Sequence, residues 1–445
     1  MQVTEGHKLE RGLSLSQATA INMIDMVGIG PFVVIPMIVS IMHGPASIIA
    51  WLVGALLAYM DGMVWAELGA KWPEAGGSYV FLQKLFGKQK GGLMPFLFIW
   101  QTTLQAPLVI ASGAIGFSNY FSFLVPLTFL QKKMVSGTVV LFLVALLYRN
   151  IKSIGKISVV LWAITGVTII WLILSGVPHF NAAQAFNIHF DGFSSTTLLY
   201  VAIGQASLKS VYSYLGYYNV CHLGAEIKDP AKNIPRSILL SITGIAIFYL
   251  GMQTMILGVM PWETVAKSEF IASTYFQQIY NHTVANFATV LILIIAFASL
   301  FSAILGYSRI PYAAALNGDF FSVFAKVHPT HKFPHISLLA IGGLGFIFSL
   351  LFRLGDVITA ILTMRILVQF VSQAFGLIAW HKQQPNEYRP YKMPLFPLPA
   401  IISILIWLFI YFCIDWKYIL LSLGIIGLGV ITFFIRRNYF RAESA

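Results

Sequence analysis

Charged side chains are scarce in this chain. Only 10% of its 445 residues are Asp, Glu, Lys or Arg, and 58% are hydrophobic. A soluble globular domain carries about a quarter charged residues, because its surface must meet water. We therefore expect lipid to be the solvent for most of this surface. The composition predicts an integral membrane protein.

Cysteine is scarcer still. Cys221 and Cys413 lie in separate hydrophobic segments, so we expect no framework of disulfides. The net charge of +12 comes mostly from Lys and Arg in short loops between apolar runs. Because the sequence has no basic stripe interleaved with aromatic residues, we expect no nucleic-acid partner. Residues 1–17 are polar and charged, unlike a cleavable leader, so the first helix is predicted to be an uncleaved insertion signal.

Motifs of enzymes and of metal sites are also missing. The sequence has no HExxH, nucleophile elbow, phosphate loop or Gly-rich dinucleotide fingerprint. His328, His331 and His335 have a spacing that a metal site can use, but Pro329 and Pro334 interrupt any helix there and no carboxylate cluster is near. We therefore expect no metal ion and no other cofactor.

Long apolar runs are what the chain does have. A spanning helix needs about 20 mostly apolar residues. Runs that meet or nearly meet this length lie at roughly 17–41, 46–70, 92–125, 134–149, 157–176, 198–223, 237–259, 283–308, 335–352, 357–380, 399–414 and 417–435. The pattern predicts an all-α membrane protein with about twelve transmembrane helices. Because a helix bundle forms one unit, 1–445 is predicted to be a single domain.

The positive charges predict the orientation of these helices. If both termini are cytoplasmic, 21 of the 28 Lys and Arg residues fall in inside loops or ends, and five fall in outside loops. The remaining two, Lys209 and Arg365, lie within helices. Cytoplasmic loops of membrane proteins carry such an excess. We expect a multi-pass protein of the plasma or inner membrane with both termini in the cytoplasm.

The first predicted helix has a weak point near its middle, Asp25-Met-Val-Gly28-Ile29-Gly30-Pro31. Two glycines and a proline disfavour a continuous helix, and backbone groups freed inside a membrane need partners in the protein or in a wet cavity. Pro31 suits the first turn of a resumed half-helix, whose positive end attracts a carboxylate. The alternative is that the glycines only permit close packing of helices.

The sixth predicted helix has a second weak point, where Gly216 stands among aromatic residues over 212–219. Interruptions at corresponding positions of the two halves point to the binding site of a transporter. One or two of four tyrosines are expected to line or gate this site, and the others to pack: Tyr212, Tyr214, Tyr217 and Tyr218.

Four charged residues within predicted helices are candidates for a functional role. Asp25 is a candidate partner for a substrate ammonium, or a protonatable coupling group, because a charge at mid-membrane is costly without a role. The alternative is a structural acceptor or a salt bridge to Lys209 or Arg365. Asp61 is a candidate for the same functional and structural roles, although its position is less central. Lys209 is a candidate for the outer vestibule, and Arg365 for either an internal counter-ion or a substrate contact.

Five segments together resemble the amino acid–polyamine–organocation permeases over most of the chain. The first is Gly28-Ile-Gly30, where that family usually has Gly-Ser-Gly. The other four lie in predicted cytoplasmic segments: Glu67-Leu-Gly to Gly76-Gly77-Ser-Tyr79, Gly224-Ala-Glu226 to Ile-Pro235-Arg236, Arg309 to Gly318-Asp319 with His328-Pro329 and Pro334, and Pro385 to Arg389-Pro390 and Pro394.

The resemblance implies the LeuT-type fold, with two inverted five-helix repeats at 17–177 and 198–380 and two last helices at 399–435. It also implies alternating access, with substrate carboxylate near Gly28–Gly30 and substrate amine near the carbonyls of Tyr214–Gly216. The candidate substrate-binding residues are Asp25, Gly28, Ile29, Gly30, Tyr212, Ser213, Tyr214, Gly216 and Tyr217, and the candidates for coupling or gating are Asp61, Lys209 and Arg365.

The chain departs from the family pattern in several places. Ile29 replaces the usual hydroxyl residue, and Pro31 removes a further backbone donor. Helix five lacks the lysine that several of these permeases carry, which leaves their mode of coupling open here. The loop 126–133 lacks the cysteine by which animal light-chain exchangers bind a heavy chain, so no disulfide-linked heavy chain is expected.

The sequence thus predicts a secondary transporter for amino acids that works by exchange or by proton-linked uptake. A polyamine or cationic amino-acid carrier is the alternative, since Asp25 and Asp61 favour cations whereas the half-helix dipole favours carboxylates. A membrane enzyme or a channel is disfavoured, because no catalytic constellation is present and a channel has no need of paired helix breaks.

Overall fold

The computed structural model describes residues 9–87, 92–190, 192–351, 359 and 362–443, with side chains to residue 436. The regular secondary structure of these residues is helical, and the β-type pairing among them is limited to the isolated bridges Leu13–Ile227 and Ala75–Leu223. The helices are α1 Leu15–Met26, α2 Gly30–Met42, α3 Ile48–Lys71, α4 Ser78–Phe86, α5 Leu93–Leu124, α6 Phe129–Leu147, α7 Ile151–Gly176, α8 Ala182–Ala185, α9 Thr196–Tyr214, α10 Asn219–His222, α11 Pro230–Val259, α12 Trp262–Lys267, α13 Ile271–Ile279, α14 His282–Tyr307, α15 Arg309–Leu316, α16 His335–Leu351, α17 Ser372–Gln383, α18 Leu398–Phe412 and α19 Trp416–Glu443. A π-helical stretch, Ile366–Val371, precedes α17.

The long apolar helices confirm an all-helical membrane protein. Within the described ranges, eight helices are long and apolar enough to cross a membrane, and α1 with α2 makes a ninth span if the bent pair is counted as one. α16 and α18 are apolar but shorter. Every predicted apolar run coincides, where it is described, with a helix or a helix pair. That all twelve cross the bilayer remains a prediction.

The first predicted break is present between α1 and α2. α1 begins with a capping box, in which the Ser14 hydroxyl accepts from the Gln17 backbone N–H and the Gln17 side chain accepts from the Ser14 N–H. The helix ends at Met26, and α2 begins at Gly30 with Pro31 in its first turn, where the missing N–H is no loss. The axes of the two helices differ by 44°.

The second predicted break lies after α9 and requires Gly216. This residue has a φ of +120°, a conformation that L side chains rarely adopt. A Cβ atom built on Gly216 would lie 2.9 Å from the Asp25 carbonyl carbon and from the Met26 nitrogen. The two breaks therefore pack directly against each other, backbone to backbone.

The broken helices occupy the centre of the bundle. α1 packs against α7, α11 and α14, α2 packs against α9, and α3 packs against both α9 and α11. α10, which follows the second break, packs against α1 and α14.

A buried ion pair joins three segments at the end predicted to be cytoplasmic. Arg309 Nε lies 2.9 Å from Glu226 Oε2 and Arg309 Nη2 lies 2.8 Å from Glu226 Oε1, and both side chains are buried. The backbone carbonyl of Glu226 also accepts from the N–H groups of Gly12 and Leu13, at 2.9 and 3.0 Å. The pair thus ties the N-terminal segment to the segment before α11 and to α15.

We predict that Glu226→Gln strongly destabilises the purified protein, because it leaves the Arg309 guanidinium buried without its counter-ion. Breaking a buried pair in this way typically costs about 3–5 kcal/mol. The melting temperature in detergent should fall clearly. Glu10→Gln is the control, because it removes the exposed pair of Glu10 with Lys152 and should change little. Equal melting temperatures for the two variants would contradict the assigned role.

Candidate functional site

A cavity of about 70 Å³ lies where the two helix breaks meet. A single water molecule needs only about 10–15 Å³, so there is room for a small solute. Eight of the predicted residues line this cavity: Asp25, Gly28, Ile29, Gly30, Tyr212, Ser213, Gly216 and Arg365. The structure therefore brings together both breaks and two of the four charged candidates, Asp25 and Arg365.

The start of α2 forms one wall of the cavity. Ile29 occupies the N-cap position and makes no capping hydrogen bond with its side chain, so the first N–H groups of the helix have no side-chain acceptor there. Gly30 lies so close to α9 that a Cβ atom on it would be 3.2 Å from Ser213 Oγ. This wall presents the positive end of a helix to the cavity.

Side chains of α14 satisfy carbonyl groups of α1 beside the break. Ser299 Oγ donates to the Asp25 carbonyl at 3.2 Å, and Ser302 Oγ donates to the Ile21 carbonyl at 2.8 Å. On the other side, Asn22 Oδ1 accepts from the Val220 N–H at 2.8 Å. These backbone groups beside the breaks thus find partners inside the protein, as a membrane interior requires.

Tyr249 of α11 links the ends of both broken helices, and sequence reasoning did not select it. Its hydroxyl lies 2.7 Å from the Met26 carbonyl oxygen and 3.0 Å from the Ser213 carbonyl oxygen. A hydroxyl has one proton, so it donates to only one of these carbonyls at a time. The ring packs against Trp51 and Tyr214. No local motif marks this tyrosine, because its partners are remote in the sequence.

The Asp25 carboxylate faces the cavity. Within the described part of the chain, it makes no hydrogen bond and no ion pair within 4 Å. Lys209 Nζ instead donates to Thr359 Oγ1 at 2.9 Å, and Arg365 Nε donates to Gln369 Oε1 at 2.7 Å. Neither basic side chain forms the salt bridge to Asp25 that the sequence left open.

Asp61 and Tyr217 lie together outside the cavity lining. The buried Asp61 carboxylate accepts from Trp65 Nε1 at 2.9 Å, from Ser403 Oγ at 3.1 Å and from the Tyr217 hydroxyl. Tyr217, just after the break at Gly216, is thus bonded to α3 and is not a cavity-lining residue. Three neutral donors hold a carboxylate that connects α3, the second break and α18.

The other predicted tyrosines have different surroundings. Tyr212 lines the cavity and shares a hydrogen bond of 3.0 Å with Ser112 Oγ. Tyr214 is buried against Trp51 and Tyr249, away from the cavity lining. Tyr218 and Tyr307 also line the cavity. The sequence marked Tyr218 only as one of four tyrosines and gave no signal for Tyr307.

A second, larger cavity of about 670 Å³ contains Lys209. Lys132 and Lys267, from segments predicted to lie outside the membrane, share its lining. Lys209 therefore faces the side on which sequence reasoning expected an outer vestibule.

A comparison with known proteins identifies the family to which this chain belongs. Residues 13–434 match the family model described as amino acid permease. The chain belongs to this family. Amino acid permeases are transporters and not enzymes, so the chain is a multi-pass membrane transport protein, and the family implies amino acids as substrates.

The similar proteins differ in what they carry. The branched-chain amino acid permease BcaP of Bacillus subtilis is 25% identical over 97% of this chain and 94% of its own length. The serine/threonine exchanger SteT of Bacillus subtilis is 25% identical over 90% of each chain. Cationic amino acid transporter 4 of Homo sapiens is 26% identical over 85% of this chain and 61% of its own length. Relatives this distant establish the family and leave the substrate open.

We predict that Gly216→Ala destabilises this permease, because alanine is strained at a φ of +120° and its Cβ would meet the backbone of Asp25 and Met26. Strain of this kind typically costs about 1–3 kcal/mol before the contact itself is counted. The measurement is the midpoint of unfolding in detergent. Gly166→Ala in α7 is the matched control, because a Cβ there meets nothing within 4 Å. A Gly216→Ala variant as stable as this control would refute the packing of the two breaks.

Proposed function

We propose that the protein is a secondary transporter that moves amino acids across the cell membrane by alternating access. The observation that carries this proposal is the cavity between the two breaks, with the Asp25 carboxylate and the start of α2 in its lining. These groups have opposite polarity, and a zwitterion presents opposite charges to match them.

Each end of an amino acid has a suitable partner in this cavity. The positive end of α2 attracts the substrate carboxylate. The Asp25 carboxylate, with no protein partner among the described residues, attracts the substrate ammonium. A charge-assisted hydrogen bond of this kind is worth about 1.5–3 kcal/mol, which is enough to matter for recognition.

The same proposal includes the finer architecture. Twelve spanning helices would form two inverted repeats, 17–177 and 198–380, followed by two helices at 399–435, with both termini in the cytoplasm. The two broken helices at corresponding places, α1 with α2 and α9 with α10, support this arrangement. The excess of Lys and Arg in alternate loops supports the orientation.

This orientation predicts the labelling of single cysteines by a membrane-impermeant maleimide. In a background with Cys221→Ala and Cys413→Ala, Lys267→Cys should react in intact cells, whereas Lys228→Cys should react only after permeabilisation. Both positions are exposed, so accessibility on the protein surface does not limit either reaction. Labelling of Lys228→Cys in intact cells would reverse the topology.

The surroundings of Asp61 favour proton-coupled transport over simple exchange. Its carboxylate accepts from Tyr217, which directly follows the break at Gly216. A change in its protonation would therefore alter a contact made by the second broken helix. Exchange against an internal amino acid is the other mode in the proposal.

A polyamine or cationic amino-acid carrier is the second candidate. Asp25 in the cavity and the likeness to cationic amino acid transporter 4 favour it. Arg365 in the same cavity opposes it, because a like charge in a low-dielectric site repels a cationic substrate.

We predict that purified protein in liposomes takes up one or more amino acids from a panel of neutral, basic and acidic members, with putrescine and spermidine included. Asp25→Asn should raise the KM of its substrate about tenfold or more, because the ammonium loses a charged partner. Asp229→Asn is the control, since Asp229 is exposed at the start of α11 and has a positive φ that asparagine accepts.

Two outcomes would overturn parts of this proposal. Transport of putrescine without any amino acid would replace it by the polyamine candidate. Unchanged KM and rate for Asp25→Asn would make that residue structural. Driving uptake with an inward proton gradient, and separately with internal amino acid, distinguishes symport from exchange.

A further inference from the structure

Arg365 is a buried positive charge whose contacts among the described residues are with neutral side chains. Besides the bond to Gln369, its Nη1 lies 3.3 Å from the Tyr307 hydroxyl oxygen, and its guanidinium stands 5.1 Å from the ring centres of Tyr218 and of Phe370. The side chain is 1% exposed. Across the described residues, no carboxylate lies within 4 Å of it.

Among the residues that the structure describes, the charge of Arg365 therefore has no contacting counter-ion. Transfer of a charged group out of water costs several kcal/mol unless an opposite charge or good hydrogen bonds offset it. Hydrogen bonds to an amide and a phenol, together with two aromatic faces, stabilise the guanidinium but do not neutralise it. Because Arg365 lines the central cavity, an anion bound in that cavity can reach it.

The α-amino and α-carboxyl groups of an amino acid do not use this arginine in the proposed mode of binding. The start of α2 takes the carboxylate and Asp25 takes the ammonium. Arg365 stands on a different element, directly before the π-helical stretch Ile366–Val371. In this mode of binding, neither charged group of the substrate backbone pairs with Arg365.

We propose that Arg365 binds an anionic side chain of the substrate, so that the protein prefers amino acids with a second carboxylate. This inference rests on the proposed amino-acid transport and adds its specificity. A guanidinium with donors to spare is well suited to a carboxylate, which it binds through two parallel hydrogen bonds.

A second cavity, on the side that the proposed topology places outside, also has a positive lining. Lys132, Lys209 and Lys267 line the larger cavity, together with a single carboxylate, Glu269. A cleft lined by one sign of charge raises the local concentration of the opposite one. These charges would concentrate an anionic substrate on that side of the protein and would repel a polyamine.

A competing explanation is that Arg365 serves only as a fixed counter-ion for Asp25. The two side chains line one cavity, and the positive charge acts on the carboxylate through space. This explanation predicts that removing Arg365 impairs all substrates equally. The two explanations therefore differ in substrate preference and not in total activity.

The test compares substrates of nearly equal shape, glutamate with glutamine and aspartate with asparagine, in liposomes that contain the purified protein. Wild-type kcat/KM should be at least about tenfold higher for an acid than for its amide. Arg365→Gln should remove that preference, because kcat/KM for the acid should fall at least about tenfold more than kcat/KM for the amide. Arg365→Lys, which keeps the charge, should retain part of the preference.

Controls separate this inference from the function on which it rests. Arg236→Gln changes an exposed arginine and should leave both substrates unaffected, and size-exclusion profiles report folding. Transport of neutral amino acids with no preference for acids in the wild type would overturn the inference alone. Equal losses for acid and amide in Arg365→Gln would assign the counter-ion role. Absence of transport for every amino acid would overturn the proposed function itself.

Discussion

Every backbone group exposed by the two helix breaks needs a partner inside the protein, because no water in the bilayer core can replace one. The structure meets this constraint by packing the breaks against each other. Gly216 touches the backbone of Asp25 and Met26, and the Tyr249 hydroxyl reaches a carbonyl of each broken helix. Two serines of α14 donate hydrogen bonds to further carbonyl groups of α1. The central cavity exists because this bonding leaves a gap where the breaks meet.

Charge is distributed in that cavity in a way that a lipid-facing surface would not tolerate. Asp25 and Arg365 share the lining without touching, and the positive end of α2 lies beside them. Separated opposite charges in a low-dielectric site favour a solute that brings its own charges in the complementary order. By contrast, the buried pair of Glu226 and Arg309 is closed by direct contact and stabilises the bundle at one end.

Much of the fold was predictable, because helix length, apolarity and helix-breaking residues are local properties. The weak points at Gly28–Gly30 and Gly216 are indeed the places where the two helices break. The roles of individual tyrosines were not predictable in this way. Tyr217 turns toward Asp61, 156 residues away in the chain, and Tyr249 was missed because its partners belong to two other helices. Side-chain direction depends on those distant neighbours.

By itself the sequence determined a helical membrane protein, the position of both breaks, and a resemblance to amino acid permeases that residues 13–434 confirm. Composition and periodicity are enough for this, since each helix must satisfy its backbone within its own segment in lipid. Only the tertiary structure decided which charged side chains share a site. It placed Asp25 and Arg365 in one cavity and Asp61 in another network, because helices far apart in sequence become neighbours only when the bundle packs.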